Sequence, residues 1–231
     1  RPKRSAKDAV NGLRFNLQFG KYGYIVEADI KGFFDHMNHE WLLRMLKERI
    51  DDAKFLNLIR KWLKAGILDT DGKVIHPESG TPQGGIVSPV LANVYLHYAL
   101  DLWFEKVVKT HCDGDALILR YADDFVCGFQ YRKDAIKFFR VLPKRLARFD
   151  LQLAPDKTGM MRFSRFHPSR SRKIVFLGFE TVWTVDLKGF ARVTQRTSRK
   201  KLQGACRRIK DWVKRNRHLK GIKYIKALNR R

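Results

Sequence analysis

The 231-residue sequence predicts an α+β fold in which an antiparallel sheet packs on helices. Segments with apolar residues at helical spacing alternate with short β-branched runs that are typical of strands. Two of these runs, residues 117–121 and 125–129, are joined by a link that is too short for anything but an antiparallel hairpin. The 44% hydrophobic and 12% aromatic content is enough for a buried core, and the length fits one or two domains.

A helix and a strand open the chain. Ser5 is a good N-cap and Asp8 stands in the capping-box position, which predicts a helix that ends at Gly20. Residues 24–30 are then apolar and largely β-branched, as in a mostly buried strand. Asp29 is predicted at the carboxyl end of this strand.

Two packing helices, a hairpin and a long helix are predicted next. Asn38 caps the first helix and Asp51 begins the second, which ends near residue 66. The second helix carries one apolar stripe, formed by Phe55, Leu58, Ile59, Trp62 and Leu63. Residues 67–80 are interpreted as a hairpin. Ser88 is predicted to cap a long helix with a proline in its first turn.

Strands and basic helices complete the prediction. A helix is predicted over residues 135–149. Three strand-like runs follow, at residues 158–163, 174–181 and 190–193. From Ser198 onward two basic amphipathic helices are predicted, and this change of character places a boundary near residue 195. One face of the first basic helix carries Leu202, Ala205, Ile209, Trp212 and Val213.

The charge of the chain favours a polyanionic partner. The formal net charge is +25, and residues 157–231 hold 23 basic and 3 acidic residues, whereas residues 1–156 hold 25 and 20. Such an excess is typical of proteins that bind nucleic acid. No apolar run approaches the roughly 20 residues that cross a bilayer, so no membrane partner is expected. The N-terminus has neither an initiator Met nor a signal-like stretch, as expected for a piece of a longer chain.

Cysteines and histidines give no sign of a disulfide framework or a zinc site. Cys112, Cys127 and Cys206 are too few and too scattered, so a reducing cytoplasm is the expected compartment. Cys127 is expected to pack within the hairpin. The histidines lack close ligand spacing and are expected to be isolated surface residues: His36, His39, His76, His97, His111, His167 and His218.

Three carboxylates carry the clearest chemical signal. Asp29 ends one strand, and Asp123 and Asp124 occupy the turn of the hairpin, so sheet pairing can bring the three together. An Asp-Asp pair alone is more often a solvated turn, but this turn emerges from two core-forming strands. Clustered carboxylates repel one another unless a divalent metal lies between them, and oxygen ligands suit Mg²⁺. Two such ions about 3.5–4 Å apart stabilise the attacking and leaving oxygens of a phosphoryl displacement.

An ordered series of motifs carries a family resemblance. The series runs ADIKGFFD at residues 28–35, GTPQGGIVSP at 80–89, YADD at 121–124, LAPDKT at 153–158 and FLGF at 176–179. It resembles the motifs of group II intron-encoded reverse transcriptases, also called maturases. The resemblance covers nearly the whole chain and implies a right-hand polymerase fold.

The resemblance implies a domain organisation and an activity. Residues 1–20 would be the end of the fingers, 21–195 the palm, and 196–231 the start of a basic helical thumb. The chain would extend a primer 3′-hydroxyl with deoxynucleoside triphosphates on an RNA template, using two Mg²⁺ ions for which Mn²⁺ can substitute. The implied partners are template RNA, DNA primer and structured intron RNA. A bacterial cytoplasm is favoured over an organelle, and the oligomeric state is left open.

The resemblance also assigns roles to individual residues. Asp29, Asp123 and Asp124 would be the catalytic metal ligands, with the carbonyl of Ile30 as an extra contact. Phe34 would exclude a ribose 2′-hydroxyl. The nucleotide pocket would further include Gln83, Lys157, Arg1 and Arg4. The primer grip would be formed by Phe176, Leu177, Gly178 and Phe179. The thumb would hold the phosphate backbone of the hybrid through Arg199, Lys200, Lys201, Arg207, Arg208 and Lys210.

Three alternatives stay open at this point. The chain could be an RNA-binding maturase module that assists splicing without polymerase activity in this fragment. It could be an RNA-dependent RNA polymerase, although Phe34 argues against this alternative. It could also be a reverse transcriptase associated with a CRISPR locus or a retron, because these proteins share the palm.

Overall fold

The chain folds into helices packed on antiparallel sheets, which confirms the predicted α+β class. The computed structural model describes residues 5–64, 67–68, 74–75, 79–81, 86–169, 171–219 and 221–229. The helices are α1 (Ala6–Phe19), α2 (Phe33–His36), α3 (His39–Lys47), α4 (Ala53–Lys64), α5 (Ser88–Leu96), α6 (Arg132–Ala147), α7 (Arg199–Asn216) and α8 (Ile222–Asn229). The strands are β1 (Tyr24–Ala28), β2 (Ile67–Leu68), β3 (Val74–Ile75), β4 (Ala116–Tyr121), β5 (Asp124–Phe129), β6 (Gly159–Arg162), β7 (Lys173–Phe176), β8 (Phe179–Val185) and β9 (Ala191–Thr197).

The first helix begins at the predicted capping box. The Asp8 backbone N–H donates to Ser5 Oγ at 3.3 Å, and the Ser5 backbone N–H donates to Asp8 Oδ2 at 2.7 Å. These two bonds satisfy donors that a helix N-terminus leaves without partners. The helix buries Val10, Leu13 and Leu17 on one face.

A four-stranded antiparallel sheet with the order β4-β5-β1-β6 forms the centre of the molecule. The β4–β5 hairpin has a two-residue turn, because Tyr121 pairs with Asp124 and Ala122 has φ 56°. The turn therefore consists of Ala122 and Asp123. The prediction that both acidic residues occupy the turn was wrong for Asp124, which is the first residue of β5.

Two hydrophobic clusters pack on opposite faces of this sheet. Ile25 and Val26 are consecutive residues of β1, so their side chains point to opposite faces. Val26 belongs to the larger cluster with residues of α3, α5 and α6, including Leu42, Tyr95 and Phe138. Ile25 belongs to the smaller cluster, which includes Leu13, Phe163 and Trp183. Cys127 is buried in the larger cluster, as predicted.

A second sheet with the order β7-β8-β9 packs beside the first. The single strand predicted over residues 174–181 was wrong, because β7 and β8 are joined there by a two-residue turn. Helix α1 covers the outer edge of β9. The Val193 backbone N–H donates to Gln18 Oε1 at 2.7 Å, and Gln195 Nε2 donates to the Val10 carbonyl at 2.7 Å.

Two of the predicted helices, α4 and α7, are less buried than their apolar stripes predict. Helix α4 buries Ile59 and Leu63, but the other members of its predicted stripe, Phe55, Leu58 and Trp62, are exposed. Asp52 rather than Asp51 caps this helix, since Asp52 Oδ1 accepts the backbone N–H groups of Lys54 and Phe55. None of the described residues of α7 is buried, and from its predicted apolar face the Trp212 ring packs on Tyr224 of α8, with ring centroids 5.4 Å apart.

The predicted long helix is regular α-helix only in its first part, Ser88–Leu96. Helix α5 continues through π-helical segments at His97–Asp101 and Phe104–Val108 and a short 3₁₀ turn that ends at His111. Ser88 is the first residue of the helix and Val87 occupies the N-cap position, so the predicted Ser88 cap was wrong. The predicted hairpin over residues 67–80 is confirmed for the paired strands β2 and β3, and its turn lies outside the described residues. In the described part of the chain, no helix is long and apolar enough to cross a bilayer.

Candidate active site

Two of the three predicted carboxylates face one cleft. A cavity of about 420 Å³ lies where β1 ends and β5 begins, and Asp29, Asp124 and Lys157 line it together with Phe176 of the second sheet. The antiparallel register pairs Ala28 with Phe125, which brings Asp29 beside Asp124. Asp123 sits in the adjoining turn. The polar groups of the cleft therefore come from segments that are far apart in the sequence.

Burial and neighbouring negative charges act on the Asp124 carboxyl. Burial raises the pKa of the Asp124 carboxyl, and the charges of Asp123 and Asp29 raise it further. Lys157 and Lys201 act in the opposite direction. The three carboxylates are thus close enough to repel one another, and two lysines from different segments offset part of their charge.

Lys157 forms an ion pair with Asp29. Its Nζ lies 2.7 Å from Asp29 Oδ2, and this hydrogen bond is the main reason why the pKa of Lys157 is raised. The lysine belongs to a loop that docks on the end of β1. Ile30 forms an isolated antiparallel bridge with Leu153, and the Ala154 backbone N–H donates to the Asp29 carbonyl at 2.8 Å. Docking of the loop places the cation beside the carboxylates, while its side chain remains 71% exposed.

The donor set fits a hard divalent cation in charge and in atom type. Carboxylate oxygens are the ligands that Mg²⁺ takes from proteins, and Asp29 and Asp124 supply them to one cleft. Within the described residues, no three His, Cys, Asp or Glu side chains converge as a preformed metal site. Asp29 is instead paired with Lys157.

Glu27 is a site residue that the sequence analysis did not single out. It lines the same cleft and accepts the backbone N–H of Val175 on Oε1 at 2.7 Å. Burial raises the pKa of Glu27 to about 7, and the hydrogen bond from Val175 opposes this shift. Glu27 thereby ties β1 of the central sheet to β7 of the second sheet. The only sign in the sequence was a charged residue within an apolar strand.

The predicted primer-grip residues form one tight turn beside the cleft. Leu177 and Gly178 have φ values of 51° and 81°, as the two central positions of a type I′ turn require. Phe176 before the turn is buried, whereas Phe179 after it is exposed. The start of α7 is fastened to this turn. Lys201 Nζ donates to the Leu177 carbonyl at 3.2 Å, and the Ser198 backbone N–H donates to the Gly178 carbonyl at 3.0 Å.

A buried carboxylate also anchors the start of α7. Glu180 of β8 accepts from Lys173 Nζ at 2.7 Å and from Arg196 Nε at 3.0 Å, and the Arg199 backbone N–H is 3.5 Å from Oε1. The bond from Lys173 is the largest cause of a lowered pKa at Glu180. The predicted thumb contacts are all exposed side chains of α7: Arg199, Lys200, Lys201, Arg207, Arg208 and Lys210.

Phe34 is the second residue of α2, the short helix that follows β1. Its ring is half-buried with its centroid 5.4 Å from that of Phe33. The Phe34 carbonyl accepts the backbone N–H of Thr81 at 2.8 Å. This bond attaches the start of the segment at residues 80–89 to the backbone of Phe34, whose ring is predicted to exclude a ribose 2′-hydroxyl. The predicted nucleotide contacts Gln83, Arg1 and Arg4 lie outside the described residues.

His39 helps to hold the same segment in place. It is buried, so the prediction that all histidines are surface residues was wrong for this one. Its Nε2 donates to the Gly80 carbonyl at 2.6 Å, and the Gly80 backbone N–H donates to the Met37 carbonyl at 2.8 Å. Gly80 has φ 85°, and a Cβ at this position would lie 2.6 Å from the Phe34 carbonyl oxygen. Only glycine fits so close to that backbone.

The comparisons with known proteins place the chain in a family. The model of the family described as reverse transcriptase (RNA-dependent DNA polymerase) matches residues 1–181. The chain belongs to this family. The structure is similar to that of apo telomerase from Candida tropicalis, with a TM-score of 0.58 and 15% sequence identity over 83% of this chain and 39% of that chain. This similarity confirms the predicted right-hand polymerase fold.

Two relatives confirm the resemblance to proteins encoded in introns. The group II intron-encoded protein LtrA from Lactococcus lactis subsp. cremoris is 45% identical over 97 residues, which are 42% of this chain and 16% of that protein. An uncharacterized 91 kDa protein in the cob intron of Schizosaccharomyces pombe is 32% identical over 191 residues, which are 82% of this chain and 22% of that protein. The chain thus spans less than a quarter of the length of either relative.

Proposed function

We propose that the chain is the catalytic part of an RNA-directed DNA polymerase. It extends a primer 3′-hydroxyl with deoxynucleoside triphosphates on an RNA template. The observation that carries this proposal is the pairing of β1 with β5, which sets Asp29 and Asp124 side by side in a cleft between the central sheet and the turn at Leu177. Membership of the reverse transcriptase family supports it.

Asp29, Asp123 and Asp124 would hold two Mg²⁺ ions, or Mn²⁺ in their place. Metal ions bound by these residues would supply a lowered pKa at the attacking 3′-hydroxyl and neutralisation of charge on the leaving oxygens. The repulsion that raises the pKa of Asp124 supports this assignment, because it is relieved when cations enter the cleft. The carbonyl of Ile30, next to Asp29 in the chain, is a further candidate ligand.

The other side chains of the cleft would bind and orient the substrates. Lys157 is exposed enough to turn from Asp29 toward the triphosphate, where its cation offsets the charge that develops on pyrophosphate. Phe34 would contact the sugar at C2′ and exclude a ribose hydroxyl. The turn at Leu177 and Gly178 would support the primer backbone, and Gln83, Arg1 and Arg4 would contact the incoming nucleotide.

The exposed cations of α7 would hold the template–primer hybrid. Phosphates of an A-form hybrid are bound through charge and shape rather than through base edges. We infer that template RNA and DNA primer are the partners of this surface and that a structured intron RNA is a further one. A bacterial cytoplasm is the proposed compartment, in line with the Lactococcus relative.

A second candidate function is RNA binding without DNA synthesis. The observation that favours it is α7 itself, whose described residues are all at least partly exposed and which carries a large excess of basic residues. The relatives encoded in introns agree with a role in holding intron RNA. DNA synthesis requires the carboxylates of the cleft, whereas RNA binding by α7 does not.

Primer extension separates the candidates. The unmodified chain, Asp124→Ala and the control Asp51→Ala, which removes an exposed carboxylate outside the cleft, are compared on oligo(dT)-primed poly(rA) with Mg²⁺ and dTTP. Loss of extension in Asp124→Ala alone, with hybrid affinity retained in all three, is the expected result. Equal extension in all three proteins would refute the proposed carboxylates. Hybrid binding without extension in any of them would favour the second candidate.

A further inference from the structure

A second surface, remote from the cleft, carries exposed aromatic rings. Phe15 and Phe19 are one turn apart on α1, with ring centroids 4.9 Å apart, and are 64% and 69% exposed. Phe166 is 82% exposed and Phe190 is 65% exposed. We call these four residues the aromatic surface. Contiguous exposed apolar groups of this size mark an interaction site more often than single exposed residues do.

Two adjoining cavities connect these rings. One, of about 680 Å³, lies between α1 and β9 and is lined by Phe15, Phe19 and Phe190. The other, of about 530 Å³, lies beside the start of β1 and is lined by Phe19 and Phe166. Phe19 lines both, so the two cavities adjoin at its ring, and we call them together the groove.

The charges that line the groove are all positive. Arg14 and Arg192 line the first cavity, and Lys21, Arg162 and Arg165 line the second. Arg192 is ion-paired with Asp186 at 2.7 Å, so the net positive charge comes from the other four. No Asp or Glu is among the described residues that line either cavity. Cations beside exposed aromatic rings are what single-stranded nucleic acid needs, because the rings stack on bases and the cations meet phosphates. A second copy of this chain would bring the same positive charge and be repelled.

Hydrogen bonds fix the groove before any ligand arrives. Arg165 donates to the Gly20 carbonyl at 2.7 Å and to the Gln18 carbonyl at 3.2 Å, which holds it against the end of α1. The Gln18 side chain accepts the backbone N–H of Val193 at 2.7 Å and so joins α1 to β9. A surface that is already ordered loses little entropy when it binds.

The groove is separate from the candidate active site. The second cavity reaches Tyr24, the first residue of β1, whereas Asp29 follows the last residue of the same strand. A strand of this length spans roughly 13–17 Å, so the two sites lie at opposite ends of β1. A strand held in the groove would not occupy the cleft.

We propose that the aromatic surface and its flanking cations bind a single-stranded stretch of polynucleotide. Bases stack on Phe15, Phe19, Phe166 and Phe190, and phosphates contact Arg14 and the cations of the second cavity. Stacking needs bases that are free of a partner strand, so the groove prefers single strands to duplexes. The proposal does not depend on polymerase activity, since binding alone defines it.

Fluorescence anisotropy with a labelled twelve-nucleotide oligo(rU) tests the proposal. The site that α7 provides is first saturated with unlabelled hybrid, so that the remaining binding reports the groove. We expect the Phe15→Ala/Phe19→Ala double variant to lose affinity about tenfold or more, with an unchanged salt dependence. Arg14→Gln/Lys21→Gln is expected to lower the slope of log affinity against log salt by about 1.4. The control Phe55→Ala removes an exposed ring on α4 and is expected to change nothing.

Several results would overturn the proposal. The first is unchanged oligo(rU) affinity in the double variant with folding intact by circular dichroism. An equal loss of affinity for a blunt duplex would mean that the groove holds phosphates without stacking. Binding of the unmodified chain to anionic lipid vesicles, lost in the double variant while oligo(rU) binding persists, would assign the surface to a membrane. Oligo(dT) in a parallel titration tells whether the groove prefers RNA to DNA, and comparable binding of both supports a stacking site.

Discussion

Replacing Gly80 with alanine tests how the segment at residues 80–89 is held against the site. Gly80 has φ 85°, and an added Cβ would lie 2.6 Å and 2.7 Å from the carbonyl oxygens of Phe34 and Asp35. Both obstacles are backbone atoms, so no change of rotamer relieves the overlap. Gly189 provides a matched control, because its φ is 83° and no atom lies within 4 Å of the position of its Cβ.

The structure sets the size of the two effects. Alanine at a positive φ costs about 1–2 kcal/mol, and this is the whole expected effect of Gly189→Ala. Gly80→Ala adds the loss of three hydrogen bonds that attach the segment: from Gly80 to Met37, from Thr81 to Phe34 and from His39 to Gly80. At about 1 kcal/mol each, these bonds bring the expected loss for Gly80→Ala to about 4–5 kcal/mol.

Urea unfolding of the two variants measures this difference. We expect Gly80→Ala to unfold with a free energy about 3 kcal/mol lower than Gly189→Ala. Because the same segment carries Gln83, the KM for the deoxynucleotide in primer extension is expected to rise in Gly80→Ala and to stay unchanged in Gly189→Ala. Equal destabilisation of the two variants, within about 1 kcal/mol, would refute the argument that the segment is docked through Gly80.

Two further predictions concern the carboxylates of the cleft. Asp124→Asn is expected to raise the melting temperature at neutral pH while it abolishes primer extension, because burial and repulsion raise the pKa of Asp124 and make its charge unfavourable in the folded chain. A lower melting temperature would contradict this reasoning. Glu27 has a pKa of about 7, above its value in an unfolded chain. Its contribution to stability is therefore full below the unfolded pKa and is lost as the pH rises through about 7. The loss amounts to at most about 3 kcal/mol. Glu27→Gln should remove it, and urea unfolding at pH 5 and pH 8 compares the two proteins. The same pH dependence in both would rule out Glu27 as its source.

Local patterns were sufficient to predict the elements of the site. The capping box at Ser5 and Asp8, the strand that ends before Asp29 and the hairpin that carries Asp124 all depend on residues near one another in the sequence. The proximity of Asp29 and Asp124 could be predicted because each of these residues stands at one end of a short apolar strand. At two helix starts the prediction missed the capping position by one residue, because Val87 stands there instead of Ser88 and Asp52 instead of Asp51.

The contacts between distant segments could not be predicted in this way. Glu27 accepts a bond from Val175, and His39 donates to Gly80, so the role of each side chain depends on a partner that only the folded chain supplies. The sequence shows Glu27 merely as a charge in an apolar strand. The position of Lys201 on the turn at Leu177 likewise requires the second sheet to be in place.

Charge balance in the cleft connects these distant contacts with the proposed reaction. The charge of the carboxylates is offset by Lys157 from the loop that docks on β1 and by Lys201 from the start of α7. The two lysines approach from separate segments, so the balance exists only when the central sheet, the second sheet and α7 are assembled. Lys157 is exposed and free to turn, whereas Lys201 is also bound to the Leu177 carbonyl. We propose that Lys157 is the cation that transfers from Asp29 to an incoming triphosphate, while Lys201 stays with the turn at Leu177. This exchange would release the Asp29 carboxylate from its ion pair when the triphosphate arrives.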